Sequence, residues 1–295
     1  MEKSSSKSYC LRRLRLLVKR HYAIVLSSAI LAGICFYAVK VEPTLRRITR
    51  MEFADEQIPS ELDGLKIAFA ADLHVTYEGS NALSDIVQAI NREQCDLILL
   101  GGDFINGNGR GPLMTTLMPT LEKLQAPLGV YAITGNHEYQ RGIDAFKDAF
   151  ANSHLRLLID DRITLQLTNG TSFNLIGLDY TANPHRRSDP QRMQELFSNK
   201  GFNITLCHTP EDFPFLPDNA HLTFSGHTHG GQLNLPLLGS IINHPGYGRK
   251  LSYGKVRDKN KTLFVTAGLG SAYTQARLFM RPEIMILTLK STAKK

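Results

Sequence analysis

Cysteine is scarce and scattered: Cys10, Cys35, Cys95 and Cys207 lie far apart with no C-x-x-C pair. That spacing excludes both a thiolate zinc site and a small disulfide framework, and all four read as buried or membrane residues. No internal repeat is visible, and a hydrophobic fraction of 42% over 295 residues excludes disorder for the bulk of the chain. Positive charge is missing from most of the sequence even though the formal net charge is +7. Residues 1–50 hold eleven Lys and Arg against Glu2 and Glu42, a balance of +9 that leaves −2 for the other 245 residues. A basic track for nucleic acid is therefore absent from the body, and no nucleic-acid partner is expected.

Charge of either sign is absent from His21 to Val39, nineteen residues that would reach about 28 Å as a helix, close to the hydrocarbon thickness of a bilayer. A cleaved signal peptide and a buried core helix compete with a single spanning anchor. The length of the run, the lack of an A-x-A site after it and the basic residues at both ends favour the anchor. The expected organisation is a basic flank (1–20), a transmembrane anchor (21–39), a polar linker (40–64) and a folded domain (65–290). Seven basic residues precede the run and four lie between Lys40 and Arg50, so the positive-inside rule puts the N-terminus in the cytoplasm and the body in the periplasm. Leu11 to Arg20 also fits a basic amphipathic helix lying on an anionic surface.

Beyond the linker, short apolar runs alternate with helical patterns. Leu65–Ala71, Asp96–Leu100, Val130–Thr134, Ser172–Leu178, Phe202–Cys207, His221–Phe224 and Leu263–Thr266 read as buried strands, with helices at about 80–93 and 113–125. The βαβαβ start implies a parallel sheet covered by helices. Ile163–Leu167 and Ser172–Leu178 flank Asn169-Gly170, a hairpin signal, and the sheet is expected to become mixed there.

The polar residues fall where these runs stop. The first ends in Asp72-Leu73-His74, the second in Gly101-Gly102-Asp103, the third in Gly135-Asn136-His137-Glu138. Later runs end in His208 and in Gly226-His227-Thr228-His229-Gly230-Gly231. Ligands of open α/β sheets bind outside the carboxyl ends of strands, so these groups are expected to meet in one crevice. Two aspartates, an asparagine amide and five imidazoles, with no thiolate, suit Mn²⁺, Fe, Zn²⁺ or, less well, Mg²⁺. The set is too large for one ion and fits two, bridged by a carboxylate, around a phosphoryl centre. The glycines among these residues permit sharp turns and close backbone approach. Glu138 reads as a solvated charge or a helix N-terminal residue, and Cys207 as a core residue facing away from His208.

Together these five segments resemble the signature of the calcineurin-like metallophosphoesterases over roughly residues 65–290. The resemblance implies a four-layer α-β-β-α sandwich. It implies Asp72, His74 and His229 on a first metal, Asn136, His208 and His227 on a second, and Asp103 bridging. Two divalent ions, Mn²⁺ foremost, would activate water and screen the phosphate oxygens, while His137, not a ligand, would protonate the leaving oxygen.

His229-Gly230-Gly231-Gln232, the anchor and Arg281-Pro282-Glu283 are further similar to a bacterial subgroup of membrane-attached phosphodiesterases that includes UDP-2,3-diacylglucosamine pyrophosphohydrolases of lipid A synthesis. The expected protein is a single-pass enzyme of the bacterial inner membrane acting on a lipid-linked or other membrane-associated phosphate ester. The alternatives are a hydrolase of soluble phosphate esters of the cell envelope and a non-catalytic scaffold of the same fold. Leu278-Phe279-Met280 or Leu235-Pro236-Leu237-Leu238 could line an apolar groove, or else form a core strand and a turn. Arg249, Lys250, Arg277 and Arg281 are candidates for a second phosphate. A nucleotide-lipid substrate of lipid A synthesis calls for a cytoplasmic site, in conflict with the charge rule.

Overall fold

The computed structural model describes residues 3–75, 80–106, 113–180, 190–197, 201–235, 239–240, 249–272 and 274–293. The chain opens with one helix, α1 (Lys3–Phe36), followed by a π turn (Tyr37–Val41) and a 3-10 turn (Glu42–Thr44). Leu16, Leu17, Leu26, Ile30, Leu31 and Phe36 are all exposed along it. Of its most apolar window only 6% is buried, which excludes the core-helix alternative; the segment Arg15–Thr44, with mean hydropathy 2.1, is long and apolar enough to cross a membrane.

The stretch 40–64, expected as a linker, instead contains β1 (Arg47–Asp55), nine residues that form the edge of the first sheet. Its burial is confined to Phe53 and Asp55 at the far end, because Arg47, Arg50 and Glu52 lie on an edge that water reaches. An edge strand needs no apolar run, and this one hid behind its charges.

Two six-stranded sheets follow, together with a small antiparallel pair, β10 (Asn234–Leu235) and β11 (Gly239–Ser240). The first has the order β1, β14 (Glu283–Ser291), β2 (Lys66–Ala70), β3 (Leu97–Leu100), β4 (Val130–Ala132), β5 (Arg156–Leu157). The second runs β12 (Gly254–Asp258), β13 (Lys261–Val265), β9 (Leu222–Ser225), β8 (Asn203–Leu206), β7 (Ser172–Gly177), β6 (Asp161–Gln166). Strands β2 to β5 are parallel to one another, as are β7, β8, β9 and β13. The β6–β7 pair is the antiparallel hairpin expected from Asn169-Gly170, with Leu167 and Thr171 bonded across the turn.

The sheets pack face to face through Phe69, Leu97, Leu99 and Ile133 on one side and Phe173, Leu206, Phe224 and Phe264 on the other, with Phe69 and Phe224 at 5.1 Å between ring centroids. Helices α2 (Ser80–Arg92), α3 (Leu113–Leu121) and α5 (Ile143–Ala151) cover the outer face of the first sheet, α2 with a strongly amphipathic pattern. The outer face of the second is covered by α6 (Pro190–Leu196) and a 3-10 turn (Pro210–Phe215). Both central sheets are buried on both faces; β2 and β3 of the first are near-continuous apolar runs, while β7, β8 and β9 of the second interleave theirs with the buried polar residues Asn174, Asn203, Thr205 and Thr223.

Register fixes where the site lies. Arg47 is opposite Glu283 on parallel strands, and Met285 is opposite Phe69 on antiparallel ones. The start of β1, where the chain arrives from α1, therefore shares one end of the sheet with the carboxyl ends of β2, β3 and β4.

Candidate metal centre

The strand ends meet. Asp72 and His74 follow β2, Asp103 follows β3, Asn136 and His137 open the short helix α4 (Asn136–Arg141) after β4, His208 follows β8, and His227 and His229 follow β9. Asp72, His74 and His229 bring ligand atoms within 4.8 Å of one another, as do Asp103, His208 and His227. His74, Asp103 and His137 form a third such group, so Asp103 stands between the other two. His74 Nε2 lies 3.1 Å from His229 Nε2, and His208 Nε2 lies 3.1 Å from His227 Nδ1 and 3.2 Å from Asn136 Oδ1. Asp103 Oδ2 is 3.6 Å from His74 Nε2, 3.4 Å from His208 Nε2 and 3.8 Å from His137 Nε2.

Those spacings test the fit to metal. Two ligand atoms each about 2.1 Å from one ion, at tetrahedral or octahedral angles, stand about 3.0–3.4 Å apart. The paired nitrogens already have that separation, and the donor set of imidazole nitrogen and carboxylate or amide oxygen is the one that such ions accept.

The backbone is bent to achieve this. Asp72, His74, Asp103, His227 and His229 have φ of 53°, 44°, 52°, 68° and 51°, in the left-handed region that non-glycine residues avoid. At about 1–2 kcal/mol each, this conformation persists only where surroundings enforce it. Gly135 shows how close those surroundings are: a Cβ there would fall 2.2 Å from Asp103 Oδ1 and 2.7 Å from His208 Cε1.

Glu138 corrects the sequence expectation of a solvated charge. It does lie in the first turn of α4, but it is fully buried, and its carboxylate accepts the N–H groups of Asp103 at 2.9 Å, Phe104 at 2.9 Å and Gly135 at 2.7 Å. It thereby ties the loop after β3 to the loop after β4. The available signal was its place three residues after Gly135, where a helix glutamate reaches back to the cap N–H.

The electrostatics follow from burial around one strong anion. Burial pushes His208 down, but Asp103 and Asp72 outweigh it and lift the imidazole to about 10. Its Nδ1 donates to the Gly101 carbonyl at 2.8 Å, which points Nε2 into the centre. Burial likewise pushes Asp103 up, yet His208, His74 and His137 hold it well below the usual carboxylate range. Asp72 is lifted to about 7 by burial, and Glu138 to about 7 by burial and the Asp103 charge. His74 falls to about 4 through burial, and His229 falls well below its ordinary value through burial, His74 and Arg277. A neutral imidazole is the form that binds metal.

Other sequence candidates fared differently. Arg277 is fully buried and offers no phosphate-binding surface, whereas Lys250 is exposed and Arg281 donates from Nε to the Leu45 carbonyl. The Arg249 side chain and residues 236–238 lie outside the described residues. Leu278-Phe279-Met280 is no core strand: Phe279 is exposed at φ 54°, while Met280 is buried. Cys207 belongs to the outer core of the second sheet, facing away from His208 as its alternation required.

Fold and donor set define a metal-dependent phosphoester hydrolase. Residues 65–231 match the calcineurin-like phosphoesterase model, and the chain belongs to that family. It is 31% identical to the uncharacterized metallophosphoesterase YkuE of Bacillus subtilis, over 94% of this chain and 98% of that one. An uncharacterized metallophosphoesterase of Aquifex aeolicus is 26% identical over 85% of this chain and 94% of its own. The UDP-2,3-diacylglucosamine pyrophosphatase LpxG of Chlamydia muridarum is 26% identical over 85% of this chain and 91% of its own.

Proposed function

We propose that the chain is a membrane-anchored, two-metal hydrolase of phosphodiester or pyrophosphate bonds in a lipid-linked or other membrane-associated phosphate ester, with UDP-2,3-diacylglucosamine one candidate. Asp72, His74 and His229 hold one divalent ion and Asn136, His208 and His227 the other, with Asp103 shared. Mn²⁺ suits the mixed nitrogen and oxygen donors best, ahead of Fe, Zn²⁺ and Mg²⁺. Such ions supply a water of lowered pKa and neutralise phosphate oxygens. His137, the open imidazole beside Asp103, with 17% of its side chain exposed, delivers a proton to the leaving oxygen. Its N–H bond to Asp103 Oδ1 at 2.9 Å fixes the backbone from which it reaches the substrate.

The observation that carries the reading is the shared end: the strand ends bearing the ligands and the chain emerging from α1 lie at the same edge of the first sheet. An enzyme so arranged meets substrates that are themselves confined to a membrane surface. The 26% identity to a pyrophosphatase of a diacylated nucleotide sugar supports the same class.

The test is a hydrolysis screen of the full chain in detergent with added Mn²⁺, on bis-p-nitrophenyl phosphate, p-nitrophenyl phosphate and UDP-2,3-diacylglucosamine. Metal-dependent turnover is expected on the diester and fastest on the lipid; no turnover on any of the three would leave a non-catalytic scaffold. A reporter fused after Lys295 reads the side of the membrane: a cytoplasmic result is expected if the nucleotide-lipid is the substrate, and a periplasmic one would remove it and leave another membrane-associated phosphate ester.

A further inference from the structure

The segment that follows α1 and the loop behind His229 are bonded to each other. Glu42, buried although charged, accepts the N–H groups of Phe279 at 2.9 Å and Met280 at 2.6 Å on its two carboxylate oxygens. The Ala38 carbonyl, in the π turn that ends the anchor, accepts the Arg277 N–H at 2.8 Å. Residues 277–280 are thus clasped to the foot of the anchor at both ends.

From there the contacts run inward. Met280 packs on the residue beside His229: a Cβ on Gly230 would fall 2.6 Å from Met280 Sδ. Arg277, the largest fully buried side chain among the described residues, spreads its guanidinium over the carbonyls of Ala267 at 2.9 Å, Gly268 at 3.2 Å and Gly270, reaches the Met280 carbonyl at 3.0 Å, and braces the His229 ring with Nη2 at 3.4 Å from Nδ1. The loop it holds lies against the other two members of that trio. A Cβ at Gly268 would meet Asp72 Cβ at 2.8 Å, one at Gly270 would meet His74 Cβ at 2.6 Å, and the Gly270 N–H donates to the Asp72 carbonyl at 2.6 Å.

Asn136 and His208 are held from elsewhere, by the α4 turn and the Gly101 carbonyl. His227 is tied to the Asp72–His74–His229 trio by its backbone N–H, which donates to both carboxylate oxygens of Asp72 at 2.9 and 3.0 Å. The support is therefore lopsided.

We propose that Arg277 and Glu42 are positioning residues that make the foot of the anchor part of one metal site, the Asp72–His74–His229 trio, and bear less on the Asn136–His208–His227 site, which they reach through Asp72. The inference rests on the two-metal reading above. Neither residue reaches the centre with a free donor; each acts by fixing backbone that fixes ligands, as partners behind metal ligands commonly do.

The experiment measures Mn²⁺ binding to the full chain in detergent, by calorimetric titration and by electron paramagnetic resonance, for the wild type, Arg277→Lys and Glu42→Ala. Lysine keeps the charge but cannot span three carbonyls, and Glu42→Ala acts from the opposite end of the same chain of bonds should the lysine variant not fold. Wild type is expected to bind two ions with a spin-coupled spectrum. In each variant one ion is expected to weaken by about ten-fold or more while the other stays within about two-fold, and the signal of isolated Mn²⁺ replaces the coupled one. Two ions at wild-type affinity in both variants would overturn the inference, and so would joint loss of both ions in a variant that keeps its fold. Fewer than two ions in the wild type would instead overturn the two-metal reading itself, and that result is visible before any variant is made.

Discussion

His137 and Asp103 are neighbours with opposite expected phenotypes. His137→Ala removes the open imidazole and leaves both ligand trios intact, so metal content should stay at the wild-type level while turnover of an alkyl phosphodiester falls by about 100-fold or more. Asp103→Ala removes the oxygen that faces both trios, and metal analysis should find it depleted along with activity. Glu138→Gln replaces one of the two carboxylate oxygens with an NH2 donor, so at least one of the three backbone N–H groups loses its acceptor, and it should cost about 2 kcal/mol or more in a denaturant titration of the metal-free chain. The ligand candidates were legible because unusual residue types stand at the ends of apolar runs. Glu138 and Arg277 were not, because a charged residue in sequence reads as solvated, and only tertiary contacts show that each is buried among backbone groups. The left-handed backbone under five of the candidates was equally invisible, since Asp and His carry no mark of it.

At the scale of elements, most strands buried on both faces were read to within a few residues, since β2, β3, β7, β8 and β9 are almost wholly apolar or buried; β14, buried between β1 and β2, was not expected at all. Of the edge strands, β6 was read and β1, β5 and β12 were not. β12 has the burial of a surface strand, and β1 alternates charge with partial burial, so neither produces a run. That error has a practical consequence. A chain begun at Leu65 would lack Phe53, Ile58 and Leu62, all buried, and would expose β14, whose whole length pairs with β1. It is expected to be insoluble, whereas one begun at Arg47 keeps the pairing. Phe53→Ala in the full chain, which empties the edge-to-face contact with Phe264 at 5.7 Å, should lower stability by about 3 kcal/mol or more as read by denaturant titration.

For the molecule as a whole, charge is exchanged at the centre when metal enters. In the metal-free chain Asp103 is paired with an imidazole lifted to about 10, and Asp72 retains its proton up to about 7. Each raised value contributes stability to the folded, metal-free state that is present at low pH and lost as pH climbs through it, while the depressed Asp103, His74 and His229 contribute stability that is lost as pH falls. Divalent ions need the same atoms without protons, so for Asp72 and His208 the order is reversed in the loaded protein. Mn²⁺ binding should release protons and tighten from pH 6 to pH 8, which titration calorimetry in buffers of different ionisation enthalpy will read; pH-independent binding without proton release would contradict it.

Because the ends of β2, β3 and β4 and the chain leaving α1 share one end of the first sheet, the proposed membrane-bound substrate would make the reaction's natural concentration unit something other than molarity. Substrate held in the same leaflet would be encountered in two dimensions, and its mole fraction in the lipid would set the encounter rate. In vesicles that carry the protein, adding inert phospholipid at constant total substrate should slow turnover by surface dilution, while a soluble diester in the surrounding buffer should be hydrolysed at an unchanged rate.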